Sequence, residues 1–127
     1  RLKNITMTVN SRKADRETSK SAGLFQSLNG AYMENLTFEN MKIQLNIRSG
    51  IPVTVGALAV KAGNSELKNI RFDGLAIDTG RGDDGKAAYK IGDLFATPGN
   101  NRLNNVTGSN IAITASESAE VHKVLEP

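Results

Sequence analysis

The chain has 127 residues, 39% of them apolar and 23% charged, which suits one folded domain. Its net charge is only +3, and no basic stripe is interleaved with aromatic residues, so nucleic acid is not expected as a partner. The absence of cysteine excludes disulfides and thiolate metal sites. No apolar run approaches the roughly 20 residues that span a bilayer, so membrane insertion is not expected.

A repeated segment organises the chain. A short copy, "LKNITMTV", opens it at Leu2–Val9, and longer copies follow at Gly23–Leu45, Gly56–Thr79 and Gly92–Ala115. Each long copy starts with Gly and a short apolar strand, passes a polar turn, and ends in two alternating stretches. Alternation with period 2 predicts strands that bury one face. The side chains predicted to point inward are Leu36, Phe38, Met41, Ile43, Ile70, Phe72, Leu75, Ile77, Val106, Ile111 and Ile113.

An asparagine marks the same turn in every copy. The four markers, Asn4, Asn35, Asn69 and Asn105, are separated by 31, 34 and 36 residues. Asparagine tolerates the left-handed φ of such turns, and stacked carboxamides can form a structural ladder. Because one copy cannot bury its apolar face alone, stacked copies are expected to share one core. The sequence therefore predicts an all-β fold over residues 1–115, a right-handed parallel β-helix of about three to four coils.

Irregular segments join the copies at Asn10–Ala22, Asn46–Val55 and Gly80–Lys90. All three fall at the same point of the repeat, so they are expected to emerge along one edge, where binding residues concentrate. The first is the most charged stretch, and it is interpreted as a solvated loop in preference to a polyanion site. The candidate binding residues of these loops are Arg12, Lys13, Arg16, Arg48, Arg81 and Asp83.

The last segment, residues 116–127, differs in character from the repeats. Ser116 and Ala119 open a short helical pattern that is predicted to bury Val121, Val124 and Leu125. This segment is expected either to cap the open end of the stack or to lead into a neighbouring domain.

Three short motifs overlap in the middle of the chain, and each has a structural interpretation that is favoured. "LAIDTG" at Leu75–Gly80 looks like an aspartic-protease loop, but it occupies a strand exit of the second long copy. "RGD" at Arg81–Asp83 looks like an integrin ligand, but Gly/Asp-rich loops commonly form turns. "GDDG" at Gly82–Gly85, with Asp78, lacks the carboxylate spacing of a calcium loop.

No catalytic, cofactor-binding or metal-ligating residue is predicted. His122 is the only histidine, and "HExxH" and "GxSxG" are both absent, so neither a zinc hydrolase site nor a supported serine triad can be assembled. The fragment itself is therefore expected to be non-catalytic and to need no cofactor.

The repeats "GLFQSLNGAYMENLTFENMKI", "VGALAVKAGNSELKNIRFDGLAI" and "IGDLFATPGNNRLNNVTGSNIAI" resemble the "GLUG"-type repeats of bacterial surface proteins. They are most similar to the repeat region upstream of the catalytic domain in streptococcal immunoglobulin A1 proteases and related zinc metalloproteases. The resemblance covers about residues 2–115. It implies an extracellular, non-catalytic β-helical module on the bacterial cell surface.

The expected function follows from this resemblance. Because the chain starts at Arg1 without Met, it is interpreted as a piece of a longer surface protein. Its role would be to space a metalloprotease domain or to position a host glycoprotein or other protein partner, in contact with neighbouring domains of the parent chain. The alternatives are a stand-alone adhesin or carbohydrate-binding solenoid and a small polysaccharide lyase or hydrolase, because fold analogy alone cannot select a function.

Overall fold

The computed structural model describes residues 2–10 and 19–125. These residues form twelve β-strands and no helix. The strands are β1 Leu2–Lys3, β2 Thr6–Asn10, β3 Lys20–Ala22, β4 Phe25–Asn29, β5 Tyr32–Asn46, β6 Val53–Gly56, β7 Ala59–Gly63, β8 Glu66–Asp78, β9 Tyr89–Gly92, β10 Phe95–Pro98, β11 Arg102–Thr114 and β12 Glu120–His122.

The strands form three sheets, and every pairing in them is parallel. The long sheet contains β1 and β2, both paired with β5, followed by β8 and β11. The entry sheet has the order β12-β9-β6-β3, and the middle sheet has the order β10-β7-β4. Each long repeat thus passes through the entry, middle and long sheets in turn and pairs with the repeat before it. This all-β, parallel arrangement is compatible with the predicted β-helix.

The register places equivalent residues of successive repeats side by side, as stacking requires. In the long sheet Leu36 pairs with Ile70, and Ile70 with Val106. Of the eight predicted inward-pointing residues on the two inner long strands, β5 and β8, seven are buried, as predicted: Phe38, Met41, Ile43, Ile70, Phe72, Leu75 and Ile77. The remaining four are half-buried against the same core: Leu36, Val106, Ile111 and Ile113. Three of these four lie on β11, which has a partner strand on one side only among the described residues.

An aromatic stack in the core ends beneath the chain's last described residues. The rings of Phe38 and Phe72 stack with centroids 4.7 Å apart and an interplanar angle of 16°. Gly108 follows in the same column, and a Cβ atom there would lie 2.9 Å from Cβ of Leu125. Leu125 is buried and so fills the place that a third side chain of the column would take.

The helical interpretation of the tail was wrong. Ser116 accepts a hydrogen bond from the Ala119 N–H at 3.1 Å, which closes a single turn, and the chain then forms β12 on β9. Val121 is exposed in this strand, whereas Leu125 is buried. The period-3 pattern of apolar residues in a short tail cannot distinguish a helix turn from a strand followed by a bend.

Asp93 anchors this tail from within the fold. The backbone before Asp93 turns so tightly that a Cβ on Gly92 would lie 1.8 Å from the Phe95 carbonyl oxygen. In the neighbouring strand of the entry sheet, the residue paired with Gly92 is His122 and not a glycine. Beyond His122, the N–H groups of Val124 and Leu125 donate to the Asp93 carboxylate at 2.8 and 3.0 Å. Burial raises the pKa of Asp93, against the opposing effect of these donors and of the Lys123 charge.

Asparagine occupies the left-handed turns, as the repeat pattern predicts. Among the described residues, seven that are not glycine have positive φ, between 52° and 59°, and all seven are asparagine: Asn4, Asn35, Asn40, Asn64, Asn69, Asn105 and Asn110. The carboxamides of three markers form a ladder, in which Asn105 Nδ2 donates to Asn69 Oδ1 at 2.9 Å and Asn69 Nδ2 donates to Asn35 Oδ1 at 3.0 Å.

Asn4 does not belong to this ladder, which corrects the predicted alignment. Leu2 pairs with Phe38 and Lys3 with Glu39, so Asn4 lies beside Asn40. Asn40 Nδ2 donates to Asn4 Oδ1 at 3.2 Å, across a separation of 36 residues. The opening copy therefore matches the second left-handed turn of the repeat, and the separation of 31 residues between Asn4 and Asn35 does not measure a repeat length.

Substitutions at Asn69 test how much the turn and the ladder each contribute to the free energy of unfolding. Asn69→Ala loses both the tolerance of positive φ and two ladder bonds, and we expect it to lower the unfolding free energy by about 2–4 kcal/mol. Asn69→Gly keeps the turn and loses only the ladder, so its loss should be about 1 kcal/mol. Urea unfolding measures both, with the exposed Asn104→Ala as a control expected to change stability by less than about 0.5 kcal/mol. Equal losses for the Ala and Gly variants would contradict a role for backbone conformation.

Candidate functional site

Two connecting loops lie between the long sheet and the entry sheet, and we call their residues, 47–52 and 79–88, the loop edge. They leave the stack at equivalent places because they follow β5 and β8, which pair in register. The first predicted loop contains the candidates Arg12, Lys13 and Arg16, which lie outside the described residues. The loop edge is therefore built here from its second and third segments.

Two candidate binding residues come together at the loop edge. Arg48 and Arg81 are both exposed and line one groove. The other residues that line it are Gln44, Asn46, Ile47, Gly80 and Gly82. Guanidinium groups and side-chain amides supply donors for carboxylate, sulfate or hydroxyl oxygens. The groove therefore has the chemistry of a binding surface.

Asp83 has a different position from the two arginines. Its carboxylate accepts hydrogen bonds from Thr79 Oγ1 at 2.8 Å, from the Ser116 N–H at 2.7 Å and from Ser116 Oγ at 2.6 Å. Both carboxylate oxygens are thus engaged in holding the loop against the turn that follows β11. These hydrogen bonds give Asp83 a structural role. Its role in binding an external partner stays a prediction.

The "RGD" tripeptide is held closely against the fold. A Cβ on Gly82 would lie 1.8 Å from the carbonyl oxygen of Ile47, so only glycine fits between the two loops at this point. Together with the engaged carboxylate of Asp83, this packing favours the turn interpretation over the integrin-ligand interpretation.

A second carboxylate joins the two loops to each other. Asp84 accepts a hydrogen bond from Ser49 Oγ at 2.6 Å and another from the Lys86 N–H at 3.2 Å. The bond from Ser49 is the main reason that the pKa of Asp84 is lowered, and the Lys86 N–H and charge act in the same direction. The two loops of the loop edge are therefore joined by a side-chain hydrogen bond.

The "DTG" residues form a turn at the exit of β8. Asp78 Oδ1 accepts the Gly80 N–H at 2.9 Å, which is an Asx-turn. Thr79 is buried, and its hydroxyl also lies 3.1 Å from the Thr114 carbonyl oxygen. Among the residues that the structure describes, no three His, Asp or Glu side chains gather in a way that could hold a metal ion.

The repeat pattern of the sequence does not indicate that Tyr89, which lies beneath the loop edge, is buried. Tyr89 is buried, and its hydroxyl has no hydrogen-bond partner within the described part of the chain. Burial raises the pKa of Tyr89, and the charges of Asp83 and Asp84 add to the effect. Tyr89 is therefore a core residue and is not exposed for stacking on a sugar.

His122 lies at the end of the entry sheet. Its Nε2 is 3.4 Å from Glu120 Oε2, without the geometry of a hydrogen bond. Within residues 2–10 and 19–125 no serine or aspartate side chain hydrogen-bonds to this ring. The arrangement is that of a strand residue beside a carboxylate, which agrees with the interpretation of a lone histidine.

Comparisons with known proteins add no relative. No protein-family profile, no curated protein and no solved structure matches the chain. No helix in the described part of the chain is long and apolar enough to cross a membrane.

Asp83 and Asp84 provide a matched pair for testing how the loop edge is held. Asp83→Asn replaces an acceptor with a donor facing the Ser116 N–H and hydroxyl, so we expect the loop of residues 80–88 to open and the unfolding free energy to fall by about 1–3 kcal/mol. Limited trypsin digestion should then cut faster after Arg81 and Lys86. Asp84→Asn, which loses an exposed contact to Ser49, should be cut at nearly the rate of the parent chain. Equal cleavage of all three proteins would contradict the assigned task of Asp83.

Proposed function

We propose that the chain is a non-catalytic module of a large bacterial cell-surface protein, folded as a right-handed parallel β-helix. In this proposal the module spaces a metalloprotease domain of the immunoglobulin A1 protease type, or positions its glycoprotein substrate. The parent protein is extracellular and neighbouring domains continue the stack.

The observation that carries the proposal is the presence of unpaired strand edges at both ends of the stack. At one end β11, a strand of thirteen residues, has a partner on one side only among the described residues, and Leu103 in it is 40% exposed. At the other end β3 and β4 each have a partner on one side only among the described residues, and Phe25 is 44% exposed. Unpaired edges with apolar side chains invite further strands, and additional coils of a parent protein would satisfy them.

The β-helical part of the proposal is supported by the way that the chain advances. All three long repeats visit the three sheets in the same order, and equivalent residues pair across repeats that lie 34 to 36 residues apart. Such a stack is elongated because each repeat contacts only its neighbours. An elongated shape is the property that a spacer needs, and the loop edge gives it one side for contacts with a protein partner or a host glycoprotein.

One observation favours the alternative of an adhesin or carbohydrate-binding solenoid. Tyr32 is 58% exposed at the start of β5, and its hydroxyl donates to Glu34 Oε2 at 2.9 Å. An exposed aromatic ring held by a hydrogen bond is suited to stacking on a sugar. Phe25 adds a second exposed ring on the preceding strand of the same repeat.

The experiment is a deletion in the parent protein. Removing residues 23–115 should raise KM for immunoglobulin A1 cleavage several-fold and leave kcat nearly unchanged, because the module acts on the position of the substrate and not on the chemistry. Cleavage of a short peptide substrate by the same protein is the control and should not change.

The outcome that rejects the proposal is equally concrete. A parent protein without any protease activity would remove the protease assignment, and an unchanged KM after the deletion would remove the role in positioning the substrate. Glycan binding by the isolated chain that is lost in Tyr32→Ala would then support the adhesin alternative.

A further inference from the structure

The second asparagine ladder is interrupted at one position. Asn4 and Asn40 form its first rung. The pairing of Met41 with Leu75 and of Leu75 with Ile111 puts Gly74 and Asn110 next in the column. Gly74 has φ of 88°, so the turn itself is preserved without a side chain. The fold therefore lacks one carboxamide between Asn40 and Asn110.

The direction of the ladder bonds shows what is missing. In each observed rung, the Nδ2 group of the later residue donates to the Oδ1 atom of the earlier one. A Cβ on Gly74 would lie 3.2 Å from Asn40 Oδ1, so this acceptor faces the gap. The Asn110 carboxamide makes no hydrogen bond to another described residue. Because all these bonds run in the same direction, the gap is flanked by an acceptor, Asn40 Oδ1, on one side and by a donor, Asn110 Nδ2, on the other.

The gap opens into a groove on the outer face of the long sheet. Its lining residues are Asn4, Thr6, Asn40, Met41, Lys42, Gly74, Leu75, Ala76, Asn110 and Ala112. Ala76 and Ala112 are small, so they leave room above the sheet, whereas Thr6 and Lys42 supply a hydroxyl and an ammonium group at the rim. A ligand can therefore reach the gap from solvent.

We propose that this groove binds the acetamido group of an N-acetylated amino sugar. The amide N–H would donate to Asn40 Oδ1, and the amide oxygen would accept from Asn110 Nδ2, which replaces the missing rung. The remaining hydroxyls of the sugar would meet Thr6 and Lys42.

The surroundings favour a sugar over a peptide that carries glutamine or asparagine. The floor of the groove is the face of β8, whose backbone already pairs with β5 and β11 on its two sides. A peptide backbone would find no unpaired backbone groups there, whereas sugar hydroxyls can use the polar side chains at the rim. One amide and a few hydroxyl contacts at an open surface correspond to a dissociation constant on the order of millimolar.

Titration of the isotope-labelled chain with N-acetylglucosamine trisaccharide tests the proposal, with the glucose trisaccharide of the same linkage as the matched ligand. We expect saturable shifts of the side-chain amide signals of Asn40 and Asn110 and of the Gly74 backbone signal with the first ligand only. Equal shifts with both sugars, no shift with either, or shifts confined to other residues would overturn the proposal. So would stronger binding of a glutamine tripeptide at the same residues.

Substitutions at the gap provide the second arm. Gly74→Asn places a carboxamide in the gap and should abolish binding, and it should not raise the urea midpoint, because the φ of 88° and the 3.2 Å approach of the new Cβ to Asn40 Oδ1 strain the turn. Gly30→Asn, also at positive φ but with open space around it, is the matched control and should bind normally. If Gly74→Asn fails to fold, Asn110→Gly keeps the turn, removes the donor and should weaken binding at least threefold. Unchanged binding in the variant that folds would refute the site. None of these outcomes bears on the protease assignment.

Discussion

The left-handed backbone at recurring asparagines is the constraint on which the rest of the structure depends. Each such residue turns the chain without breaking the pairing of the long strands, so β5, β8 and β11 remain parallel to one another over at least eleven residue pairs. Asparagine tolerates this backbone and also offers a carboxamide to the next repeat. The same residue therefore shapes one repeat and aligns it with its neighbour.

Once the repeats are aligned, the core follows from their sequence. Like residues stack on like, as Phe38 does on Phe72 and Ile43 does beside Ile77. The columns end where the sequence departs from the repeat. Gly108 leaves a space that Leu125 fills, and His122 stands where the tight corner requires glycine. The Asp93 carboxylate then receives two backbone N–H groups of the tail, which directs the last described residues across the stack.

The sequence predicted the strands, the parallel repeats and most of the core, because alternation and a fixed repeat report directly on stacking. It misplaced Asn4, because two turns of the repeat both use asparagine and only the pairing of Leu2 with Phe38 distinguishes them. It predicted a helix in the tail where a strand forms. It also could not reveal that Asp83 is engaged with Ser116, because that contact joins residues 33 positions apart through three-dimensional packing.

The candidate binding surfaces were less predictable for the same reason. Arg48 and Arg81 were candidates from their loops, and the shared groove arises because the loops leave adjacent repeats in register. The gap at Gly74 is visible only after Asn4, Asn40 and Asn110 are known to share a column. In the sequence Gly74 is one more turn residue, whereas in the fold it is the position at which a structural ladder lacks a side chain.

The pairing register is the central claim, and disulfide trapping tests it most directly because the chain has no native cysteine. Lys68 and Asn104 are paired residues on β8 and β11, so cysteines at these two positions should be about 5 Å apart between Cα atoms and should oxidise rapidly. Cysteines at Glu66 and Asn104 are offset by two residues, about 8 Å apart, and should remain reduced under the same conditions. Rapid oxidation of the first pair alone is the predicted result. Preferential oxidation of the offset pair would contradict the register and, with it, the alignment of both asparagine ladders.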